Sequence, residues 1–291
     1  MRLPRQRPLR PTPARLAVGA LLFTAAVWAI LGAVTSTGTS GLPHEPAPKA
    51  LATTTAAATP TITMAAGSAT VVGIGDSVTS ATVCGCTGFV ESYAVHLPTA
   101  AGGPAHAVNL GTDGLTAAGL RTLMTRPGPT AAGVAEGDIL LVTIGANDLT
   151  PLLSRWQTSG CPAACYSPAV DAVGSDVEAI LSAAKELRGH RPTRVLVTDY
   201  WNVFADGDVA RASDGTAYLR WSDELTRALN SRICTVAQNT GTTCVDLYAP
   251  FKGDGSLNPT ALLAGDGDHP NAAGNQLISS ALLAATPLPS W

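Results

Sequence analysis

The chain has 291 residues, a formal net charge of −3 and 46% hydrophobic residues, enough for one domain with a sizeable core. Charge is unevenly placed: Arg2, Arg5, Arg7, Arg10, Arg15 and Lys49 stand before residue 68 against Glu45 alone, leaving 12 basic and 20 acidic residues, a net −8, in 68–291. A surface that acidic repels phosphate backbones and excludes nucleic acid as a partner.

Five arginines precede an uncharged apolar run from Leu16 to Val34, the pattern of a secretory signal. The run is close to the roughly 20 residues needed to span a bilayer, and no Ala-x-Ala site follows it closely. We therefore expect residues 1–34 to be an uncleaved signal anchor with the arginines inside and the rest outside, a cleaved signal peptide being the alternative. Either places the protein outside the cytoplasm, secreted or held on the outer face of the membrane. Residues 35–67 are rich in Thr, Ala, Pro and Ser, and cannot bury enough apolar surface to offset the entropy of ordering. They read as a disordered linker.

From residue 68 the pattern changes. Short apolar runs recur at Thr70–Ile74, Ala107–Leu110, Ile139–Ile144, Arg194–Thr198 and Thr243–Leu247. Helix-like segments lie between or after them, at Ser175–Arg188, Tyr218–Gln238 and Ala272–Ala285. The run Ile139–Ile144 is continuously apolar, as a strand covered on both faces requires. Strands alternating with helices predict a parallel five-stranded sheet in a three-layer α/β/α sandwich spanning 68–291.

Six cysteines, an even number, agree with export and disulfide formation. Cys234 and Cys244 flank the turn-like stretch Gln238–Gly241, so a local bridge is expected there. For Cys84, Cys86, Cys161 and Cys165 we expect cross-pairing between 84/86 and 161/165, because a Cys84–Cys86 bridge closes a very tight ring. The rival reading, a zinc site, fits poorly: C-x-C and C-x3-C are not the spacings of structural zinc ribbons.

In an open parallel sheet the functional crevice lies at the carboxyl ends of the strands. The polar signals fall at those ends: Gly75-Asp76-Ser77 after the first run, Asn109–Gly114 after the second, Gly145-Ala146-Asn147-Asp148 after the third. Asp266-Gly267-Asp268-His269 precedes the final helix. A serine hydroxyl becomes a competent nucleophile when a histidine takes its proton and a carboxylate fixes the histidine tautomer. Ser77, His269 and Asp266 are the candidates. Asp268, adjacent to the histidine, is poorly placed to reach back to its ring. His96, His106 and His190 have no polar partner at useful spacing, and His44 lies in the linker. A glycine-loop N–H and the Asn147 amide suit an oxyanion hole. The bland rivals are plain: Ser77 or Asn147 as helix caps, and Asp266–Asp268 as a solvated loop.

In these four blocks the chain resembles the SGNH (GDSL) hydrolase family over roughly residues 70–285. The resemblance assigns Ser77, Asp266 and His269 to catalysis. It assigns Ser77, Gly114 (with Gly111 the fallback) and Asn147 to the oxyanion hole. Val78 departs from the leucine of the name motif. The resemblance implies a flavodoxin-like sandwich and ester hydrolysis through an acyl-enzyme with no cofactor or metal. The substrate would be a lipid or other small-molecule ester, and a monomer is expected. Lipid acyl groups are slightly favoured because Trp201, Phe204 and Trp156 could line an acyl pocket. The alternatives are a carbohydrate O-deacetylase on the same machinery, or a catalytically silent tethered binding module. An α/β-hydrolase elbow, Gly-x-Ser-x-Gly, is excluded because Thr79 stands where its last glycine would be.

Overall fold

The five apolar runs become five strands in a computed structural model that describes residues 69–97, 105–189, 191 and 193–286. The expected anchor and linker, 1–34 and 35–67, lie outside the described residues, as do His44 and His190. The strands are β1 (Thr70–Gly75), β2 (His106–Gly111), β3 (Ile139–Thr143), β4 (Arg194–Thr198) and β5 (Thr243–Val245). All pair in parallel, in the order β2-β1-β3-β4-β5. Every residue of β3 is buried, as its uninterrupted apolar sequence requires.

The intervening helices are α1 (Ser77–Ser80), α2 (Phe89–His96), α3 (Ala117–Met124), α4 (Pro129–Glu136), α5 (Thr150–Ser159), α6 (Ala163–Arg188), α7 (Gly207–Ser213), α8 (Gly215–Thr240), α9 (Tyr248–Lys252) and α10 (Ala272–Ala284). Helices α3, α4, α6 and α8 pack together, while α10 returns to pack on α2. Right-handed crossovers explain the division, because the β1-to-β2 connection runs opposite to all later ones and carries α2 to the other face. The strand order reverses between β1 and β3. That switch point is where an open sheet leaves a crevice at its carboxyl edge.

Several bounds differ from the sequence expectation: α8, for one, runs Gly215–Thr240 where the sequence pattern predicts Tyr218–Gln238. Strand β5 stops at Val245, because Asp199 Oδ1 accepts the N–H groups of Leu247 (2.6 Å) and Tyr248 (3.2 Å) and turns the chain into α9. Helix α6 begins twelve residues before Ser175, carrying Pro168 inside it. Its buried residues Val170, Val173, Val177, Ile180, Leu181 and Ala184 recur at helical spacing and lay one stripe on the core.

The expected cross-pairing of the cysteines is not what forms. Cys84 bonds Cys86 and Cys161 bonds Cys165, each with Cα atoms 5.1 Å apart, within bridging range. Gly85 explains the first: at φ +59° it takes the left-handed conformation that folds two near-adjacent cysteines together. Cys165 lies in the first turn of α6, and the extended Pro162 before the helix brings Cys161 back against it. The expected Cys234–Cys244 bridge is present and ties the end of α8 to β5. It closes the longest of the three loops, so Cys234→Ala/Cys244→Ala should cost most, roughly 2–3 kcal/mol. Urea titrations of the three double variants would test the ranking.

Candidate active site

Gly75 ends β1 at φ +140°, where an added Cβ would lie 1.9 Å from the carbonyl oxygen of Thr143. Only glycine lets β1 approach β3 this closely and turn sharply. Asp76 then caps α1: it has extended backbone, and its Oδ1 accepts the N–H of Val78 at 3.1 Å. The capping role suspected of Ser77 therefore falls to its neighbour. The serine occupies the first turn of α1 with its hydroxyl free to face outward.

That hydroxyl lies 2.8 Å from Nε2 of His269. On the other side of the ring, Nδ1 lies 2.7 Å from Asp266 Oδ2. Asp266 Oδ1 also accepts the N–H groups of Asp268 (3.0 Å) and His269 (3.1 Å). Burial works against the Asp266 carboxylate, but these donors and the ring outweigh it and hold its pKa below the ordinary value. Asp268 is 4.0 Å from Nδ1, and its pKa is pushed up to about 6, chiefly by burial. Asp266 is thus the carboxylate that faces the imidazole.

The loop carrying this pair is fastened along its length. Ala264 N–H bonds the His269 carbonyl (2.7 Å), Asp206 N–H bonds the Gly267 carbonyl (2.6 Å), and Asn271 N–H bonds the Leu262 carbonyl (2.9 Å). Asn275 of α10 donates to the Pro270 carbonyl (3.1 Å) and accepts the N–H of Phe89 (3.1 Å), joining the loop to the start of α2.

Beneath Ser77 the turn rests on a buried polar cluster that motif reading missed. Asp76, 1% exposed, accepts from the Tyr200 hydroxyl (2.5 Å) and the Thr143 hydroxyl (2.7 Å). Burial raises the Asp76 pKa, and these donors pull the other way. The one available signal was position: Tyr200 follows β4 as Ser77 follows β1, at the same carboxyl edge.

The other predicted residues meet nearby. Asn147 caps no helix; its amide donates to the Leu115 carbonyl at 3.0 Å and its side chain lines the pocket beside Ser77. Gly114 stands next to Leu115 at φ +72°, with open space where a Cβ would be. It is not among the residues lining the pocket. Its loop docks on the serine turn: Thr112 N–H bonds the Gly75 carbonyl (2.9 Å), and Asp113 accepts from the hydroxyls of Ser80 and Thr82. The fallback, Gly111, packs against the backbone of Ser80 with no room for a side chain, which gives it a structural reason to be glycine.

The pocket has a volume of about 330 Å³ including its mouth, and its wall is mainly polar. Of the three aromatics suggested for an acyl pocket, only Trp201 lines it. Phe204 and Trp156 stack instead on Trp221, with ring centroids 5.9 and 5.2 Å away, Phe204 inside the core and Trp156 half-buried against it.

Residues 74–277 match the GDSL-like lipase/acylhydrolase family model. The chain belongs to this family. Its carboxylic ester hydrolase class follows from that membership. No curated protein sequence matches the chain significantly. Among solved structures it is similar to the lipase Lip_vut3 from a goat rumen metagenome, at 18% identity and TM-score 0.61, covering 75% of this chain and 97% of that one. It is also similar to the acetylxylan esterase Axe2 from Geobacillus stearothermophilus (20% identity, TM-score 0.51, covering 75% and 94%). A third likeness is to a putative GDSL-like lipase from Parabacteroides merdae (19% identity, TM-score 0.52, covering 78% and 99%). At these identities the structures establish the shared fold.

Proposed function

We propose that the protein is a serine ester hydrolase in which Ser77 is the nucleophile, His269 the general base and acid, and Asp266 the residue that orients the imidazole. The observation that carries this reading is the single ring bridging Ser77 Oγ at 2.8 Å and Asp266 Oδ2 at 2.7 Å. His269 Nε2 takes the hydroxyl proton as Oγ attacks the ester carbonyl, and Asp266 stabilises the imidazolium that results. The oxyanion is held by the backbone N–H of Ser77 and by the Asn147 amide, both of which line the pocket, whereas Gly114 does not. One amide hydrogen of Asn147 is committed to the Leu115 carbonyl; the second is left for substrate. His269 then returns its proton to the departing alkoxide, and water, activated by the same ring, releases the acid. Catalytic variants of Axe2 replace a serine, an aspartate and a histidine, the last two three positions apart, as Asp266 and His269 are here.

Short acyl groups fit this site better than lipid chains. An apolar channel would gain about 0.8 kcal/mol for each buried methylene, whereas Val78, Ala146 and Val203 are the only aliphatic residues of this wall. We expect kcat/KM for p-nitrophenyl acetate to exceed that for the laurate ester by at least about tenfold. Equal or better turnover of laurate would return the lipid reading to first place. We further propose an extracellular or membrane-anchored location, supported by the N-terminal arginine-then-apolar pattern and by pairing of all six cysteines.

A further inference from the structure

A second cavity lies apart from the pocket beside Ser77 and shares no lining residue with it. It sits between the α7–α8 junction, the end of α9 and the turn that follows α9. Its volume is about 840 Å³ including its mouth, against about 330 Å³ for the pocket beside Ser77. That is the size of a site for a small organic molecule.

The floor is a buried ion cluster. Lys252, with a side chain 5% exposed, pairs with Asp206 Oδ2 (2.5 Å) and Asp223 Oδ1 (3.0 Å). Asp206 also accepts from Asn202 Nδ2 (3.1 Å) and the Gly207 N–H (2.6 Å). Asp223 accepts from the Tyr248 hydroxyl (2.6 Å) and Arg227 Nε (2.8 Å). These groups satisfy one another, which makes the floor rigid and leaves it little to offer a ligand.

The rim differs. Arg211 and Arg220 both line the cavity and both are exposed. Arg211 makes one loose pair with Asp208, at 4.0 Å, a surface contact worth little. Arg220 makes no hydrogen bond or ion pair among the described residues. Unpaired arginines are ordinary on a surface, and Arg126 and Arg155 are others; the surroundings set Arg220 apart. Leu219, Leu257 and Pro259 belong to the same lining, and Leu257 is 57% exposed, so a ligand laid there would bury apolar surface. A guanidinium fork beside apolar side chains is the complement of a carboxylate that carries an alkyl chain. Asp206, Asp208 and Asp223 around the site oppose a second negative charge. A monoanion therefore fits better than a phosphate dianion.

We propose that this cavity is a binding site for an alkyl carboxylate, its head group held by Arg220 and Arg211 and its chain laid on Leu219, Leu257 and Pro259. The site uses none of the residues around Ser77 and stands independently of their role.

Calorimetric titration with octanoate tests this. Octanoate should bind the wild-type protein, and octanamide, its uncharged counterpart, should bind at least about tenfold more weakly. Shortening the chain to butyrate removes four methylenes from the apolar wall and should also cost at least about tenfold. Arg220→Gln should weaken octanoate about tenfold. Arg220→Lys, which keeps the charge but not the fork, should fall between that variant and wild type. Arg220 is exposed and unpaired, so both variants should keep the wild-type Tm and turn over p-nitrophenyl acetate within about twofold of wild type.

Octanoate binding that Arg220→Gln leaves unchanged would put the ligand elsewhere, the pocket beside Ser77 included, and overturn the proposal. Equal affinity for octanamide or for butyrate would do the same, as would no binding of octanoate at millimolar concentration.

Discussion

Ser77→Ala is expected to lower kcat/KM for p-nitrophenyl acetate by roughly 10⁴–10⁶ while leaving Tm nearly unchanged. The size of the loss follows from the geometry. With the hydroxyl gone, His269 Nε2 has no proton to take and no acyl-enzyme can form. The stability expectation follows from Asp76, whose carboxylate, and not the serine, caps α1. Residual activity comes only from the oxyanion donors and substrate positioning. Steady-state rates with a p-nitrophenyl ester, beside a thermal melt, decide the matter. Wild-type rates in Ser77→Ala would remove this residue from the mechanism.

The second large effect separates two neighbouring carboxylates. Asp266→Asn should cost roughly 10⁴ in kcat, because an amide facing Nδ1 offers the ring a donor and permits the wrong tautomer. Asp268→Asn should remain within about tenfold of wild type, since its carboxylate is 4.0 Å from Nδ1 against 2.7 Å for Asp266. If the two variants exchange ranks, Asp268 is the orienting acid. They should also differ in stability against pH. The Asp268 pKa, about 6 in the folded protein, is above the ordinary carboxylate value. The folded state therefore holds that proton more tightly than the unfolded chain does. Its contribution is full below about pH 4 and is lost as pH rises through about 6. Asp268→Asn removes this dependence, so its stability should gain on wild type across that window. Urea midpoints at pH 4 and pH 7 would record the crossing.

Much of this was legible in the sequence, for identifiable reasons. The strands announce themselves because both faces of a central parallel sheet are covered, which forces continuous apolar runs such as Ile139–Ile144. The polar residues that end those runs can be found because a parallel sheet gathers its carboxyl ends on one edge. What pattern reading missed depends on packing between distant segments. The cysteine pairing turned on the left-handed Gly85 and on the extended Pro162 that leads into α6, and neither is visible in a count of cysteines. Phe204 and Trp156 look like Trp201 in sequence, yet two of them pack against Trp221 and one borders the site. The cluster under Asp76 joins the ends of β1, β3 and β4 through Thr143 and Tyr200. No local signal marks a contact 124 residues apart.

The distance along the chain between Ser77 and His269, 192 residues, has a consequence for when the protein first becomes competent. Ser77, the proposed nucleophile, leaves the ribosome near the start of the domain. His269 and Asp266, the proposed base and orienting acid, emerge almost last, in the loop before α10, which packs against α2. A partly made chain holds the Ser77 hydroxyl without the base proposed for it, and esters it encounters are safe from it. Chemistry begins only once the domain is whole, so turnover itself reports that folding has finished.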